Sequence, residues 1–439
     1  MLLLCRRAFA GCGSFRVPSA RWTSTAIQGL PLVPGRASGA IISTDVGLSF
    51  WGGVDAKSGV VIDSRHPLHG HSLAGKILVI PNGRGSCTGS QVILELLLAG
   101  CAPAAIVLLH TDEIISLGSI VGEELFGCSL PIVTVCEGAF LRASRSAYAH
   151  VGPDGTVLLT DTDAVVDASQ LGAKANVSAD ENALVVLSAE DRAMASGDCG
   201  TAAQVAMRIL VRMAKLQGAS ELISVSQVHV DSTIYVGPAS LSFVEQLVRA
   251  GGRVRVPTTL NAISVDQRRW HDLGVAASLG VPASAVGDAY VALGATPSFT
   301  CAPYLLESAP MAGEDVAWGE SNAVVFANSC LGARTQKYAD LLDVCIALTG
   351  RAPLAGPHVE SARVPRVVVA FGKAVHLDRL DDCFWPIAGY LCGLEAATEV
   401  WTHKTFEHES DAPRLPLPVP VHPCTSLPTR TGPDRKSVV

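Results

Sequence analysis

Apolar and polar positions follow two different periods along this 439-residue chain, and the change of period marks its elements. Short β-rich apolar runs bounded by Gly, Pro or polar residues predict buried strands at 47–51, 77–80, 105–109 and 131–135. The stretch 90–98 between two of them reads as a helix. Together they form an α/β unit of about one domain. A second unit opens at Ser188, where Ser188 and Asp191 have the spacing of a capping box. The helix that follows is broken by Gly197 and resumes at Ala202, with Val205, Ile209, Leu210 and Met213 on one face. Strands at 222–230 and 254–256 then alternate with helices at 240–250 and 284–293. Repeated β-then-α order predicts a largely parallel sheet covered by helices, so the fold class is α/β.

These patterns divide the chain. Residues 1–34 form a leader, 35–165 a first domain, 166–183 a polar linker, 184–405 a larger second domain, and 406–439 a Pro-rich tail without core-forming capacity. The leader contains Arg6, Arg7, Arg16 and Arg21, and no acidic residue precedes Asp45. That is the character of a mitochondrial presequence, the alternative being a disordered leader on a cytoplasmic protein.

Composition narrows the partners. With 49% hydrophobic and 17% charged residues the chain can build large cores. A net charge of -7 without a basic cluster gives no footprint for nucleic acid or an anionic membrane, which favours a small-molecule partner. No apolar run is long enough to cross a bilayer. The 13 cysteines contain no C-x-x-C pair, which argues against a zinc ribbon or a disulfide scaffold. Oligomeric state is not legible.

The chemistry begins at Ile80-Pro81-Asn82-Gly83-Arg84-Gly85-Ser86-Cys87-Thr88-Gly89-Ser90. A glycine-rich turn between strand and helix exposes amide donors and suggests phosphate binding. It has no Lys after Gly89 and lacks the dinucleotide spacing, which makes a nucleotide site a poor reading. What remains is a set of hydroxyls beside amide donors and the Arg84 guanidinium, a setting that can stabilise an alkoxide. The plain alternative is a βα turn with Ser90 as N-cap. In the second domain, polar residues crowd into apolar segments, several at strand ends where open parallel sheets bind ligands. The candidate substrate-binding residues are Arg84, His229, Asn261, Glu320, Ser321, Asn322, Asn328, Ser329 and Arg334. For His229 alone, a satisfied core histidine is the simpler reading. Such a cleft suits an anionic or amino-acid-like substrate.

The segments GLSFWGGVDAKSGVVID, HPLHGHSLAGKILVIPNGRGSCTGS, VPTTLNAISVD, FTCAPY, ESNAVVFANS, LGART and ALTGRAP resemble aconitase X, a hydro-lyase branch of the aconitase superfamily, over about residues 35–393. The resemblance implies an N-terminal swivelling β/β/α domain fused ahead of a larger, incomplete aconitase-like α/β domain. It implies dehydration of a small hydroxy acid, first cis-3-hydroxy-L-proline and alternatively mevalonate 5-phosphate. The family loop G-[KR]-G-S-x-x-G-S fits Gly83 to Ser90 position by position and implies Ser86 as proton acceptor. The family also binds iron, usually as an iron-sulfur cluster acting as Lewis acid, and the matching ligand is Cys301 in FTCAPY. Past about Gly393 the resemblance fades, where the family supplies a further cluster cysteine; Cys330, Cys345, Cys383 and Cys392 cannot be assigned to that role by spacing. The implied chain is C-terminally truncated with an incompletely ligated cluster, the alternative function being a non-catalytic binding or regulatory form.

Overall fold

The protein is described by a computed structural model whose described residues are 25–161 and 185–364. The leader up to residue 24, the whole of the expected linker, residues 365–405 of the expected second domain and the Pro-rich tail lie outside them. In the first domain, β1 (Thr25–Gln28), β2 (Leu30–Val33), β3 (Ala37–Ser43) and β4 (Ile77–Ile80) are followed by α1 (Gly89–Leu98). Then come β5 (Ala105–Leu108), α2 (Glu113–Phe126), β6 (Ile132–Thr134), α3 (Glu137–Ser144), β7 (Tyr148–Val151) and β8 (Thr156–Thr160). All eight strands belong to one mixed sheet of order β1-β8-β7-β3-β4-β5-β6-β2. Its two edge strands are consecutive in sequence, separated only by Gly29, so the sheet curls almost into a barrel.

The parallel centre of this sheet explains the continuous apolar runs. Ile77 and Val79 of β4 enter one core and Leu78 and Ile80 the other, so every side chain of the strand is buried. Two expectations needed correction. The boundary at 34 cut through the sheet, because β1 and β2 lie inside the stretch read as leader, whose cationic character masked two four-residue strands. The run 47–51 is no strand; only Leu48 forms a bridge, to Gly83.

The second domain contains α4 (Ala189–Ser196), α5 (Thr201–Leu216), β9 (Leu222–Ser224), β10 (Val228–Val230), α6 (Pro238–Arg249), β11 (Thr258–Leu260) and α7 (Ala277–Ala292). It continues through β12 (Ala317–Trp318), α8 (Ser321–Phe326), α9 (Leu342–Thr349) and β13 (Arg351–Pro353). The capping box forms as expected, with Ser188 Oγ accepting from the Asp191 amide at 3.1 Å and the Asp191 carboxylate accepting from the Ser188 amide at 2.9 Å. Gly197 ends α4 in the left-handed conformation at φ 99°. Val205, Ile209, Leu210 and Met213 are all buried on one face of α5, each contributing about 1.5–3 kcal/mol of transfer free energy.

A parallel sheet of order β11-β10-β12 forms the centre of this domain. The expected strand 222–230 is two strands, β9 pairing with β13 and β10 with β11 and β12. The expected strand 254–256 is displaced to 258–260. Arg255, though in a β-like sequence, turns out to an ion pair with Glu190 at 3.0 Å. The domains are docked through one continuous core and a polar seam. Arg212 bridges Glu123 and Glu124 of α2 at 2.8 and 3.0 Å. Glu95 of α1 caps α6, its Oε2 accepting from the Ala239 amide at 2.7 Å.

Candidate active site

The glycine-rich turn follows the C-terminal end of β4, and Gly85 at φ 94° takes a conformation that side-chain-bearing residues rarely adopt. This turn directs Ser86 and Cys87 out of the first domain. Ser86 is half-buried; its Oγ accepts from the Thr88 amide at 3.2 Å and donates to Thr88 Oγ1 at 3.1 Å. An oxygen that already accepts an amide hydrogen is one whose anion would be stabilised. Thr88, not Ser90, occupies the N-cap of α1, and it makes no side-chain cap bond. Ser90 is spent elsewhere, its Oγ donating to the Asp340 carbonyl at 2.8 Å across the seam.

Facing this turn are the C-terminal ends of three parallel strands. Asp231 follows β10, Asn261 follows β11, and Glu320 lies two residues past β12. Asn261 Nδ2 donates to both Asp231 Oδ1 and, at 3.1 Å, Glu320 Oε2, tying the three strand ends together. The Cys87 thiol donates to Asp231 Oδ2 at 3.1 Å. From the segment before α9, Asp340 Oδ2 accepts from Gln91 Nε2 at 2.7 Å. Asp343 at the first turn of α9 accepts from the Asp231 amide at 2.6 Å and the Ser232 amide at 3.1 Å, and also from Ser232 Oγ. The swivel turn is thus bolted onto the strand ends of the second domain.

The segment carrying these acids is strained and braced. Leu341, between Asp340 and α9, is held at φ 81°, a conformation costing a side-chain-bearing residue roughly 1–3 kcal/mol. Its amide is held by Ser232 Oγ at 2.7 Å. Upstream, the Tyr338 hydroxyl meets His358 Nε2 at 2.6 Å, and His358 Nδ1 meets Asp315 at 2.7 Å. Among the described residues the other non-glycine at positive φ is Phe299, two positions before Cys301. A cleft of ≈ 370 Å³ opens between Phe299 and the stretch after Asn261, with Asp266 and Arg268 on its wall.

Burial dominates the electrostatics. It pushes the Asp231 carboxyl up to about 8, with Asp340 and Glu320 adding repulsion. Asp343 rises to about 6 through burial and then Asp340, while Asp340 itself is raised by burial despite the bond from Gln91. The Cys87 thiol is driven far above its ordinary value by burial and by Asp340 and Asp231. At neutral pH the Asp231 carboxyl is therefore largely protonated.

Of the residues expected in the cleft, Asn261 and Glu320 meet at this seam, and Ser86 lies in the turn that docks there through Cys87. Arg84 does not turn inward; it is exposed and pairs with Asp63 at 2.8 Å. His229 is a core residue, its Nδ1 bonded to Thr259 Oγ1 at 2.8 Å and its ring pushed down to about 4 by burial. Asn328 staples its own loop, donating to the Val324 and Thr335 carbonyls at 2.9 and 2.8 Å. Arg334 pairs outward with Glu360 at 2.6 Å, and Ser321 and Ser329 are exposed. Asn322 Nδ2 donates to the Cys301 carbonyl at 3.0 Å, so it positions that loop. Asp340, Asp343 and Cys87 were not singled out from sequence, and Asp231 only as part of a polar segment.

The Cys301 thiol is exposed. Among the described residues no group of three or more potential ligands gathers around it, the one such group being Cys87, Asp231 and Asp340. An iron-sulfur cluster is normally held by several thiolates, so the described residues at Cys301 do not by themselves fit one. Cys383 and Cys392 lie outside the described residues.

Comparison with known proteins agrees with this two-part layout. Residues 26–159 match the aconitase X swivel domain and 184–361 the aconitase X first domain. The chain is 54% identical over 363 residues to a cis-3-hydroxy-L-proline dehydratase of Pseudomonas aeruginosa, covering 83% of this chain and 61% of that protein. It is 48% identical over 375 residues to one of Hypocrea jecorina, covering 85% and 62%. A phosphomevalonate dehydratase large subunit of Methanothermobacter thermautotrophicus is 34% identical over 181 residues, covering 41% and 45%. The chain thus spans about three fifths of the length of the two dehydratases.

Proposed function

Because the chain belongs to the aconitase X family, with both its swivel and its first domain, we propose that it is a hydro-lyase that dehydrates cis-3-hydroxy-L-proline. The observation that carries this reading is the docking of the Ser86 turn onto the strand ends bearing Asp231, Asn261 and Glu320. A base on one side and a buried acidic cluster on the other is the arrangement an elimination needs.

Ser86 Oγ, as the alkoxide, would take the proton from the carbon bearing the carboxylate. The electron pair of that C–H bond forms the new double bond, and the bond from the neighbouring carbon to its hydroxyl breaks. The hydroxyl leaves as water on taking the proton of the Asp231 carboxyl, and return of the Ser86 proton to Asp231 resets both groups. The ring enamine then tautomerises to a cyclic imine, so hydrogen and oxygen balance with no redox partner. The Thr88 amide holds the charge on Ser86, and domain docking keeps bulk water from the seam. Iron or an iron-sulfur cluster, implied by the family, would supply Lewis-acid activation of the leaving hydroxyl, and Cys301 is the one ligand that the family motif assigns in this chain.

The test is incubation of the purified, iron-supplemented chain with cis-3-hydroxy-L-proline and, separately, mevalonate 5-phosphate, followed by NMR. Appearance of the cyclic imine from the first supports the proposal. Dehydration of the second alone would move the assignment to phosphomevalonate, and conversion of neither would favour a non-catalytic role for this chain.

A further inference from the structure

We propose that Cys87, Asp231 and Asp340 form a divalent transition-metal site at the seam of the two domains, separate from any iron centre at Cys301. One ligand atom from each of the three lies within 4.8 Å of the others, and all three residues are buried. Cys87 Sγ and Asp231 Oδ2 are 3.1 Å apart. A tetrahedral ion with a metal–sulfur bond of about 2.3 Å and a metal–oxygen bond of about 2.0 Å needs an edge of roughly 3.5 Å, so little movement would seat one.

Asp340 gives an independent indication. Its Oδ2 is occupied by Gln91 Nε2, and Gln91 is in turn fixed by Ser240 Oγ, which donates to Gln91 Oε1 at 2.9 Å. Its Oδ1 is buried and has no hydrogen-bond partner. A buried acceptor in that state is costly unless something binds it, and buried polar groups in proteins rarely go without. The second-layer bonds that orient Asp340 are those that commonly orient a carboxylate ligand.

Charge points the same way. Cys87, Asp231, Asp340, Asp343 and Glu320 repel one another in a region from which water is largely excluded. Among the described residues no lysine, arginine or histidine forms an ion pair with any of them. Uncompensated buried charge must be offset by protons or by a cation. A thiol among the ligands selects zinc, cobalt(II) or iron(II) over magnesium or calcium. Binding such an ion displaces the thiol proton and any protons the two carboxyl groups carry, leaving a thiolate and two carboxylates around a doubly charged ion. Three protein ligands leave one position open, as in sites that act on substrate. Since Cys87 comes from the swivel domain and the two acids from the other, the ion would also tie the domains together.

Cobalt(II) titration of the purified full chain, prepared free of metal, tests the site without any assay of turnover. One cobalt per chain should bind with a thiolate charge-transfer band in the near ultraviolet. That band should persist in Cys301→Ser and disappear in Cys87→Ala, while in Asp340→Asn, which keeps the side-chain volume, binding should weaken at least tenfold. Circular dichroism of each variant establishes that the fold is kept. Absence of cobalt binding in the wild-type chain, or a band unchanged in Cys87→Ala, would overturn the proposal and leave protons as the compensating charge.

Discussion

Two buried acidic centres in the second domain are built on opposite principles. Asp191 is fully buried, yet its two oxygens are served by Arg351 Nε at 2.8 Å and Nη2 at 3.2 Å, with the Ser188 amide completing the set. Arg351 also donates to the Leu222 carbonyl and to Ser224 Oγ, both at 2.6 Å, so one guanidinium joins α4, β9 and β13. The Asp231–Asp340 centre gathers more acid into a similar depth, and among the described residues no guanidinium pairs with it. Burial of a carboxylate is therefore not what distinguishes a working site. The distinction is whether the fold supplies the counter-charge or leaves it to a proton, a metal or a substrate.

The largest effect that tests this contrast is Arg351→Ala, which strands Asp191 without its cation. Urea denaturation should show a loss of about 3–5 kcal/mol, the usual consequence of breaking a buried pair from one side. A loss below about 1 kcal/mol would mean that Asp191 is as uncompensated as the other centre. The pH dependence gives a second reading. Burial pushes Asp191 up, but the Ser188 and Arg351 bonds outweigh it and hold it below its ordinary 3.8. Its contribution is complete above 3.8 and is lost as pH falls through the lower folded value. The stability gap between wild type and Arg351→Ala should accordingly be constant near neutrality and narrow below pH 3.8 in acid titrations. A smaller effect, about 1 kcal/mol, is expected for Ser188→Ala, which removes the α4 cap while leaving the ion pair. The smallest belongs to Asp340→Asn in metal-free protein at neutral pH. Burial and the neighbouring Glu320 disfavour a charge on Asp340, and the amide removes that charge while keeping the side-chain volume. Stability should be unchanged or raised by less than about 1 kcal/mol, as found where a site trades stability for function. A marked loss would show that its charge is compensated in a way the contacts do not reveal.

The same contrast explains what the sequence could disclose. Asp191 was legible because a capping box is local: Ser188 and its partner are three residues apart. Asn261 and Glu320 were legible because strand ends of a parallel sheet are where ligands bind, whatever their partners. Asp340 was not. Lys337-Tyr338-Ala339-Asp340-Leu341-Leu342-Asp343 reads as an ordinary helix start with acidic residues in its first turn, and only docking of Gln91 and Cys87 from 249 or more positions away makes it a site. Arg84, Asn328 and Arg334 failed for the complementary reason. A polar residue in a turn has nearby groups to satisfy, and Asp63, the Val324 carbonyl and Glu360 claim these three before any substrate could. The strand at 254–256 fell to the same competition, since Glu190 draws Arg255 outward.

Steady-state kinetics of Ser86→Ala with cis-3-hydroxy-L-proline test the central claim, that the swivel turn carries the base across the seam from the acidic cluster. Loss of kcat by at least about 100-fold, with KM and the circular dichroism spectrum unchanged, is the predicted result, because removing a general base leaves binding intact. Turnover by Ser86→Ala within a few-fold of wild type would contradict it.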